Sequence, residues 1–209
     1  DDPADCFLSH SYPDIASLPQ NSSVGTSSLR RQAQLLALRP DLSVRMLRGN
    51  LDTRLRKLAE GQYEGIVVAA VGLKRLGLEA RHKKRLLSAE FLPAVGQGSL
   101  GLEYVQGSSE LEDVISCLDH PPTRAAVTAE RSFLQRLEGG CQVPIGGHAS
   151  WQDGELRLQG VVADLQGREI IRKEARHPAE EAVRLGREVA EDILQRGGDR
   201  ILREVYSAS

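Results

Sequence analysis

Between residues 24 and 105, helix-like and strand-like segments alternate along the chain. The most constraining segment is a continuous apolar run at residues 65–70, Gly-Ile-Val-Val-Ala-Ala, which is typical of a strand buried on both faces. Three further elements are predicted before it: a helix from Ser27 or Ser28 to residue 38, a strand at 44–47 and a helix at 51–60. This alternation predicts an α/β lobe with a largely parallel sheet, covered on both faces, and with loops at the strand ends available for a ligand.

A different pattern follows a glycine-rich segment at 93–98, which is predicted to be a hinge or crossover between lobes. One strand at 100–105 and one helix at 110–118 are predicted next. After His120-Pro121-Pro122, the sequence predicts a helix at 123–137 and then a small α+β domain. That domain has strands at 145–151, 156–163 and 168–175, turns at Asp153-Gly154 and Gln166-Gly167, and helices at 179–195 and 199–205.

Composition restricts the partners of the chain. Its 209 residues are 40% hydrophobic, and 27 basic residues against 29 acidic ones give a net charge of −2. We therefore expect no general attraction to nucleic acid or to a membrane. Three distant cysteines without zinc-site spacing predict no metal site and indicate reduced thiols. Together with an acidic start that lacks signal-peptide features, they predict a cytoplasmic protein.

Arginines gather at two predicted strand-to-helix loops. Arg30 and Arg31 follow a glycine and three hydroxyl residues at a helix start, and Arg48 and Arg54 flank the second loop. Helix N-termini favour anions, and guanidinium groups bind carboxylates bidentately. The two loops therefore predict a crevice for a ligand with several carboxylates, to which Arg75 could add a fifth positive group. Neither glycine segment matches a nucleotide-binding motif.

Cys141 lies in a glycine frame, Gly139-Gly140-Cys141, directly after a predicted helix. Such a frame allows another molecule to approach the thiol closely, although a lone cysteine is more often a buried structural residue. His148 is the only histidine near it in sequence. A Cys-His hydrolase pair is therefore an alternative, but His148 falls at a predicted strand start and is interpreted as structural.

Several long motifs resemble those of the hydroxymethylbilane synthase family, also called porphobilinogen deaminases. They cover nearly the whole chain and occur in the family's order: Val24-Gly25-Thr26-Ser27-Ser28-Leu29-Arg30-Arg31, Leu47-Arg48-Gly49-Asn50 with Thr53-Arg54-Leu55, Pro93-Ala94-Val95-Gly96-Gln97-Gly98, and Leu137-Glu138-Gly139-Gly140-Cys141.

The resemblance implies a transferase of tetrapyrrole, porphyrin and heme biosynthesis. Cys141 is then expected to carry a dipyrromethane cofactor through a thioether, and this primer receives four porphobilinogen units stepwise as ammonia leaves. The resemblance also implies that carboxylates of the cofactor and the growing chain bind to Arg30, Arg31, Arg48 and Arg54, assisted by Thr26, Ser28 and Arg75.

The resemblance further implies three domains and a periplasmic-binding-protein-like lobe. Residues 1–97 correspond to the second lobe with its hinge, 98–120 to a returning segment of the first lobe, and 121–209 to the cofactor-attachment domain. Most of the first lobe, with the family's catalytic aspartate, is absent from this sequence. Asp52 and Asp119 lie in the wrong motifs to replace that aspartate. We therefore expect negligible turnover from these 209 residues alone, and a monomer when the protein is complete.

Two other functions compete with a synthase. A noncatalytic module that binds an organic polyanion would need the arginine crevice but no cysteine. A nucleic-acid binder would use Arg30 and Arg31 on a recognition helix, and the acidic net charge and few aromatic residues weigh against it.

Overall fold

A computed structural model describes residues 1–86, 89–105, 107, 114–138 and 143–207 of the chain. The first part is a five-stranded sheet with three helices. Its elements are β1 (Asp5–Ser9), β2 (Ser23–Gly25), α1 (Leu29–Leu38), β3 (Ser43–Arg45), α2 (Leu51–Ala59), β4 (Gly65–Ala69), α3 (Ala70–Leu76) and β5 (His82–Leu86).

The sheet is mixed, so the prediction of a largely parallel sheet was wrong. In the strand order β3-β2-β4-β1-β5, β2 runs parallel to β3 and β4, whereas β1 runs antiparallel to β4 and β5. The sequence pattern revealed neither β1 nor β5. The β1 strand is only five residues long, and β5 carries Lys83, Lys84 and Arg85 in a row at the sheet edge, where charged residues discourage further strand pairing.

Both faces of this sheet are covered, as the sequence predicted. Alternate residues of each central strand point to opposite faces. Phe7 and Val67 pack on the face that α1 covers through Leu35, whereas Leu8 and Val68 pack with α2 and α3 on the other.

The predicted three-stranded meander is confirmed. Its strands are β6 (Ile145–Gln152), β7 (Glu155–Ala163) and β8 (Ile170–His177), all antiparallel, and its helices are α4 (Pro121–Arg136), α5 (Ala182–Ile193) and α6 (Asp199–Ser207). A 3-10 turn at Ala179–Glu181 precedes α5, and a kink at Gly197 separates α5 from α6. The aromatic ring of Phe133 on α4 is completely buried in the core between these helices and the sheet.

The predicted strand at 100–105 does not form. A strand needs a hydrogen-bonded neighbour, and none of the described residues pairs with this segment. Its apolar side chains are exposed to solvent instead, Leu100 to 76% and Val105 to 77%. Of the helix predicted at 110–118, residues 110–113 lie outside the described residues, and residues 114–116 are helical. No helix in the described part of the chain is long and apolar enough to cross a membrane.

Candidate functional site: an arginine crevice at the strand ends

The two arginine loops lie side by side at one edge of the sheet. Because β2 and β3 are parallel neighbours, their carboxyl ends meet at the same edge. Backbone hydrogen bonds continue past the strands, from Thr26 N to Arg45 O (3.0 Å) and from Leu47 N to Thr26 O (3.3 Å). The N-termini of α1 and α2 therefore start next to each other, as expected for a ligand site in an open α/β sheet.

Local capping fixes the start of each helix. Ser28 is the N-cap of α1, and its hydroxyl accepts a hydrogen bond from Arg31 N; the amide of Ser28 in turn donates to Thr26 Oγ1. Asn50 is the N-cap of α2, and its side chain accepts from Thr53 N at 2.9 Å. Thr26 and Ser28 thus shape the first loop through hydrogen bonds of their own.

Gly49 makes the second loop possible. Its φ of +118° lies in a region that L side chains rarely adopt, and a Cβ there would stand 2.7 Å from Thr53 Cγ2. A larger residue would push the loop away from α2 and displace the neighbouring Arg48.

Arg30 and Arg31 lie in the interior and bind a carboxylate of the chain itself. They are only 4% and 8% exposed. Arg30 Nη1 donates to Asp5 Oδ2 at 2.7 Å, and Arg31 donates to Asp5 Oδ1 through Nε at 3.0 Å and Nη2 at 2.7 Å. This burial argues against a recognition helix that presents the two arginines to a phosphate backbone, because the guanidinium groups do not project from the surface.

Asp5 is ionised in this arrangement. Burial opposes its ionisation, but the charges and hydrogen bonds of Arg30 and Arg31 outweigh burial and hold the pKa of the carboxyl below its ordinary value. Burial lowers the pKa of Arg30 and Asp5 counteracts this effect, yet a guanidinium stays charged at any working pH. Two positive charges therefore face one negative charge.

The second arginine cluster is more open. Arg48 is exposed and Arg54 is half-buried, and neither forms an ion pair within the part of the chain that the structure describes. Burial and the charge of Arg31 lower the pKa of Arg54. The two loops themselves are joined by the backbone hydrogen bond from Leu47 N to Thr26 O. Arg54 Nε donates to Gly49 O at 2.9 Å, and Lys57 Nζ donates to Arg48 O at 3.1 Å. Lys57 thus adds a cation that the sequence motifs did not single out.

Arg75 is neutralised by a different partner. Its guanidinium donates twice to Asp1 Oδ2, at 3.1 Å from Nε and 2.8 Å from Nη2. A ligand would have to compete with Asp1 for this group, so a contribution of Arg75 to the crevice stays a prediction.

Cys141 lies outside the described residues, but both ends of its loop are described. On the entry side, Leu137 is buried and Tyr206 Oη donates to Glu138 O at 2.6 Å. On the exit side, Val143 and Ile145 are buried in the α+β core. Of the other thiols, Cys6 is buried and Cys117 is exposed. Burial raises the pKa of the Cys6 thiol to about 11, which makes it a poor nucleophile.

Among the residues that the structure describes, His148 has no partner for a catalytic pair. Its Nδ1 lies 3.6 Å from Glu130 Oε1, and no acceptor or donor within hydrogen-bonding distance of Nδ1 is described. Glu130 is buried and receives two backbone N–H groups, from Gly96 at 2.6 Å and Ala149 at 2.7 Å. His148 therefore flanks a structural carboxylate, which fits its interpretation as a structural residue.

Asp5 is the main site residue that the sequence analysis missed. One signal was available, because an acidic residue opening the apolar run Cys6-Phe7-Leu8 is unusual unless it has a buried partner. Its partners lie 25 and 26 residues away, however, so no local pattern connects them.

The fold and the site together describe a two-part protein, in which an α/β lobe with two arginine-bearing strand-to-helix loops is joined to a small α+β domain. Two family models match this chain: "Porphobilinogen deaminase, dipyromethane cofactor binding domain" over residues 1–113 and "Porphobilinogen deaminase, C-terminal domain" over residues 124–195. The chain belongs to the porphobilinogen deaminase family.

Curated relatives agree with this assignment. Porphobilinogen deaminase of Nitratidesulfovibrio vulgaris strain DP4 is 52% identical over 209 residues, covering 100% of this chain and 66% of the relative. The protein of the same name from Syntrophobacter fumaroxidans is 47% identical over 208 residues, which is 67% of its length. The chain thus spans about two thirds of the length of these relatives.

Proposed function

We propose that this chain is the major part of a hydroxymethylbilane synthase, a transferase of tetrapyrrole biosynthesis. The complete protein would condense four porphobilinogen units stepwise, with release of ammonia, on a dipyrromethane primer attached to Cys141. The observation that carries this proposal is the surplus of positive charge where the two strand-to-helix loops converge. The matching family model, named for its cofactor-binding domain, supports the same function.

The residues of the crevice fit a dipyrromethane, whose acetate and propionate groups make it a polyanion. Arg48 and Arg54 have no carboxylate partner among the described residues, and Arg30 and Arg31 share one carboxylate. A ligand with several carboxylates would neutralise this excess charge through charge-assisted hydrogen bonds. When bound, the dipyrromethane supplies the pyrrole position at which the chain is extended.

The geometry supports different roles for the two arginine pairs. Arg48 and Arg54, the more open pair, would receive the carboxylates of porphobilinogen and of the growing chain directly. Arg30 and Arg31 form an inner layer, which attracts the ligand and offers whichever donors Asp5 leaves free. Thr26 and Ser28 would keep the first loop in shape, and Arg75 would assist once released from Asp1.

The same proposal assigns the catalytic carboxylate to a part of the protein outside these 209 residues. Asp5 is fully engaged with two guanidinium groups and is poorly placed to exchange protons with a substrate. Residues 1–97 would form the second lobe of a periplasmic-binding-protein-like pair. The apolar side chains of Leu100 and Val105 would then pack against the first lobe, and the complete protein would be a cytoplasmic monomer.

Intact-mass analysis after incubation with porphobilinogen tests cofactor attachment. We expect a mass excess that maps to Cys141, disappears in Cys141→Ser and persists in the matched control Cys6→Ser. If the 209-residue chain gains no mass, the measurement is repeated after supplying the segment of the Nitratidesulfovibrio vulgaris relative that precedes its matched region. An unmodified thiol in both experiments would contradict the proposal.

Turnover is measured on the same samples. We expect no hydroxymethylbilane from residues 1–209 alone and its formation once the preceding segment is supplied. Product formation by the 209-residue chain by itself would refute the assignment of the catalytic carboxylate. The noncatalytic polyanion binder is not supported by the comparisons, and binding of porphobilinogen without any covalent adduct would be its signature.

A further inference from the structure

On one side, residues 91–98 are hydrogen-bonded to the α/β lobe that carries the four arginines. The carbonyl of Leu92 accepts from Arg30 Nη1 at 2.6 Å and from Gln34 Nε2 at 3.0 Å, while Leu92 N donates to Gln34 Oε1 at 2.7 Å. Further along, Gln97 Nε2 donates to Asp5 Oδ1 at 2.9 Å and to Pro3 O at 2.6 Å. Residues 91–98 are therefore hydrogen-bonded both to Arg30 and to the Asp5 carboxylate that pairs with Arg30 and Arg31.

The same segment is bonded to the α+β domain on its other side. Gly96 N donates to Glu130 Oε2 at 2.6 Å, and Gly147 N donates to Pro93 O at 3.0 Å. Glu130 lies on α4, the helix that leads into the Cys141 loop, and Gly147 lies on β6, the strand that follows that loop. Through Arg30 and Asp5, residues 91–98 thus connect the inner arginines, Arg30 and Arg31, to α4 and β6, the two elements that flank Cys141.

Asp5 is the centre of this connection. Its carboxylate is 0% exposed and accepts hydrogen bonds from three different side chains, those of Arg30, Arg31 and Gln97. Hydrogen bonds to an ionised group in the protein interior are stronger than those between neutral groups. Losing the Asp5 carboxylate would leave several donors without an acceptor at once.

We propose that Asp5 is a positioning residue that fixes the two inner guanidinium groups and, through Gln97, couples their position to the 91–98 segment and so to the domain that carries Cys141. A carboxylate ligand at the inner arginines would then be sensed at α4 and β6, the two elements that flank Cys141, through this chain of contacts. The role toward a ligand rests on the proposed function, whereas the coupling itself does not.

Charge and positioning predict opposite effects of one substitution. Asp5→Asn removes a negative charge and raises the formal charge of the cluster from one positive unit to two. Coulomb attraction alone then predicts tighter binding of a carboxylate ligand. If Asp5 instead holds the guanidinium groups in place, the same substitution weakens binding, because the donors no longer point in fixed directions.

Amide hydrogen exchange of the 209-residue chain, without ligand, tests the coupling. The reporters are Leu92 N–H and Gly96 N–H, and the N–H groups of β7 report whether the fold is intact. We expect both reporters to exchange about tenfold faster or more in Asp5→Asn, the scale for losing hydrogen bonds to a charged group. The matched control is Asp41→Asn, which removes another carboxylate bonded to an arginine, the partly exposed Arg39. It should leave both reporters unchanged.

Gln97→Leu is the milder second variant, in case Asp5→Asn does not fold. It keeps the ion pairs of Asp5 but cuts the link to the 91–98 segment, so Gly96 N–H should again exchange faster. An unchanged Gly96 N–H in Gln97→Leu, or in a folded Asp5→Asn, would overturn the coupling.

Calorimetric titration with porphobilinogen tests the positioning. We expect Asp5→Asn to bind about tenfold more weakly than the wild type. Equal or tighter binding would overturn the positioning role. If the wild-type chain binds no porphobilinogen even with the preceding segment supplied, the proposed function fails instead, and the exchange experiment still decides the coupling.

Discussion

Gly186 lies on α5 directly against the backbone of α4, and replacing it with alanine should weaken the domain that carries Cys141. A Cβ at Gly186 would stand 2.3 Å from the carbonyl oxygen of Ala129 and 2.7 Å from Phe133 N. Both contacts are with the backbone of α4, which cannot rotate away as a side chain can. The two helices must therefore separate, even though Ser132 Oγ also donates to Val183 O across this interface at 2.8 Å.

Two opposing effects determine how much Gly186→Ala changes the free energy of unfolding. Alanine gains about 1 kcal/mol over glycine in a helix interior. Overpacking a closed core costs about 1–3 kcal/mol and occasionally more, and a backbone contact this short belongs at the upper end. We expect Gly186→Ala to lower the free energy of unfolding by about 2 kcal/mol, which corresponds to a decrease in Tm of about 4–8 °C for a chain of this length.

Gly72→Ala is the matched control, since Gly72 also lies inside a helix. Its Cβ would meet only Leu51 Cδ2 at 3.4 Å, an ordinary contact. The helix propensity then acts without the clash, and the substitution should raise stability by about 0.5–1 kcal/mol. Urea unfolding followed by circular dichroism measures both variants. If Gly186→Ala is as stable as Gly72→Ala, the reasoning about the helix interface is refuted.

Three further predictions concern the crevice and the thiols. Arg48→Ala and Arg54→Ala should each weaken porphobilinogen binding about tenfold, which is the scale for losing a hydrogen bond to a charged group. Calorimetry measures the affinity, and the control Arg39→Ala should leave it unchanged. Equal losses in all three variants would point to a nonspecific charge effect. Because its folded-state pKa is lowered, Asp5 contributes stability that is fully present above about pH 4 and lost as the pH falls through that lowered value. The difference in the free energy of unfolding between the wild type and Asp5→Asn, measured by urea denaturation, should therefore become smaller from pH 6 to pH 3. A difference that stays constant would contradict this reasoning. At pH 8 the protonated, buried Cys6 should react with iodoacetamide only after unfolding, so its modification in the native protein would show that the thiol is accessible.

Local patterns in the sequence predicted most of the regular elements. The caps Ser28 and Asn50 indicate where α1 and α2 begin, because their side chains accept the free N–H groups of the first turn. The meander followed from apolar alternation and turn residues. Each of these signals acts over a few residues, which is why they can be recognised without knowing the fold.

Long-range pairing was not predictable in the same way. The segment 100–105 has the composition of a strand, yet it has no strand neighbour among the described residues and stays irregular and exposed. In contrast, the short β1 becomes a central strand because β4 and β5 lie on either side of it. Whether a segment becomes a strand depends on its partners as much as on its own residues.

The two arginine loops were also predictable in part from local sequence and in part only from the tertiary structure. The sequence by itself indicated that four arginines lie at two strand-to-helix loops, whereas the structure showed that the two strands are parallel neighbours that end at the same edge of the sheet. Only the tertiary structure decided that Arg30 and Arg31 turn inward to Asp5 while Arg48 and Arg54 stay more open. The physical reason is that a buried guanidinium needs a counter-charge, and that counter-charge comes from a strand at least 25 residues away in sequence, which only folding brings into contact.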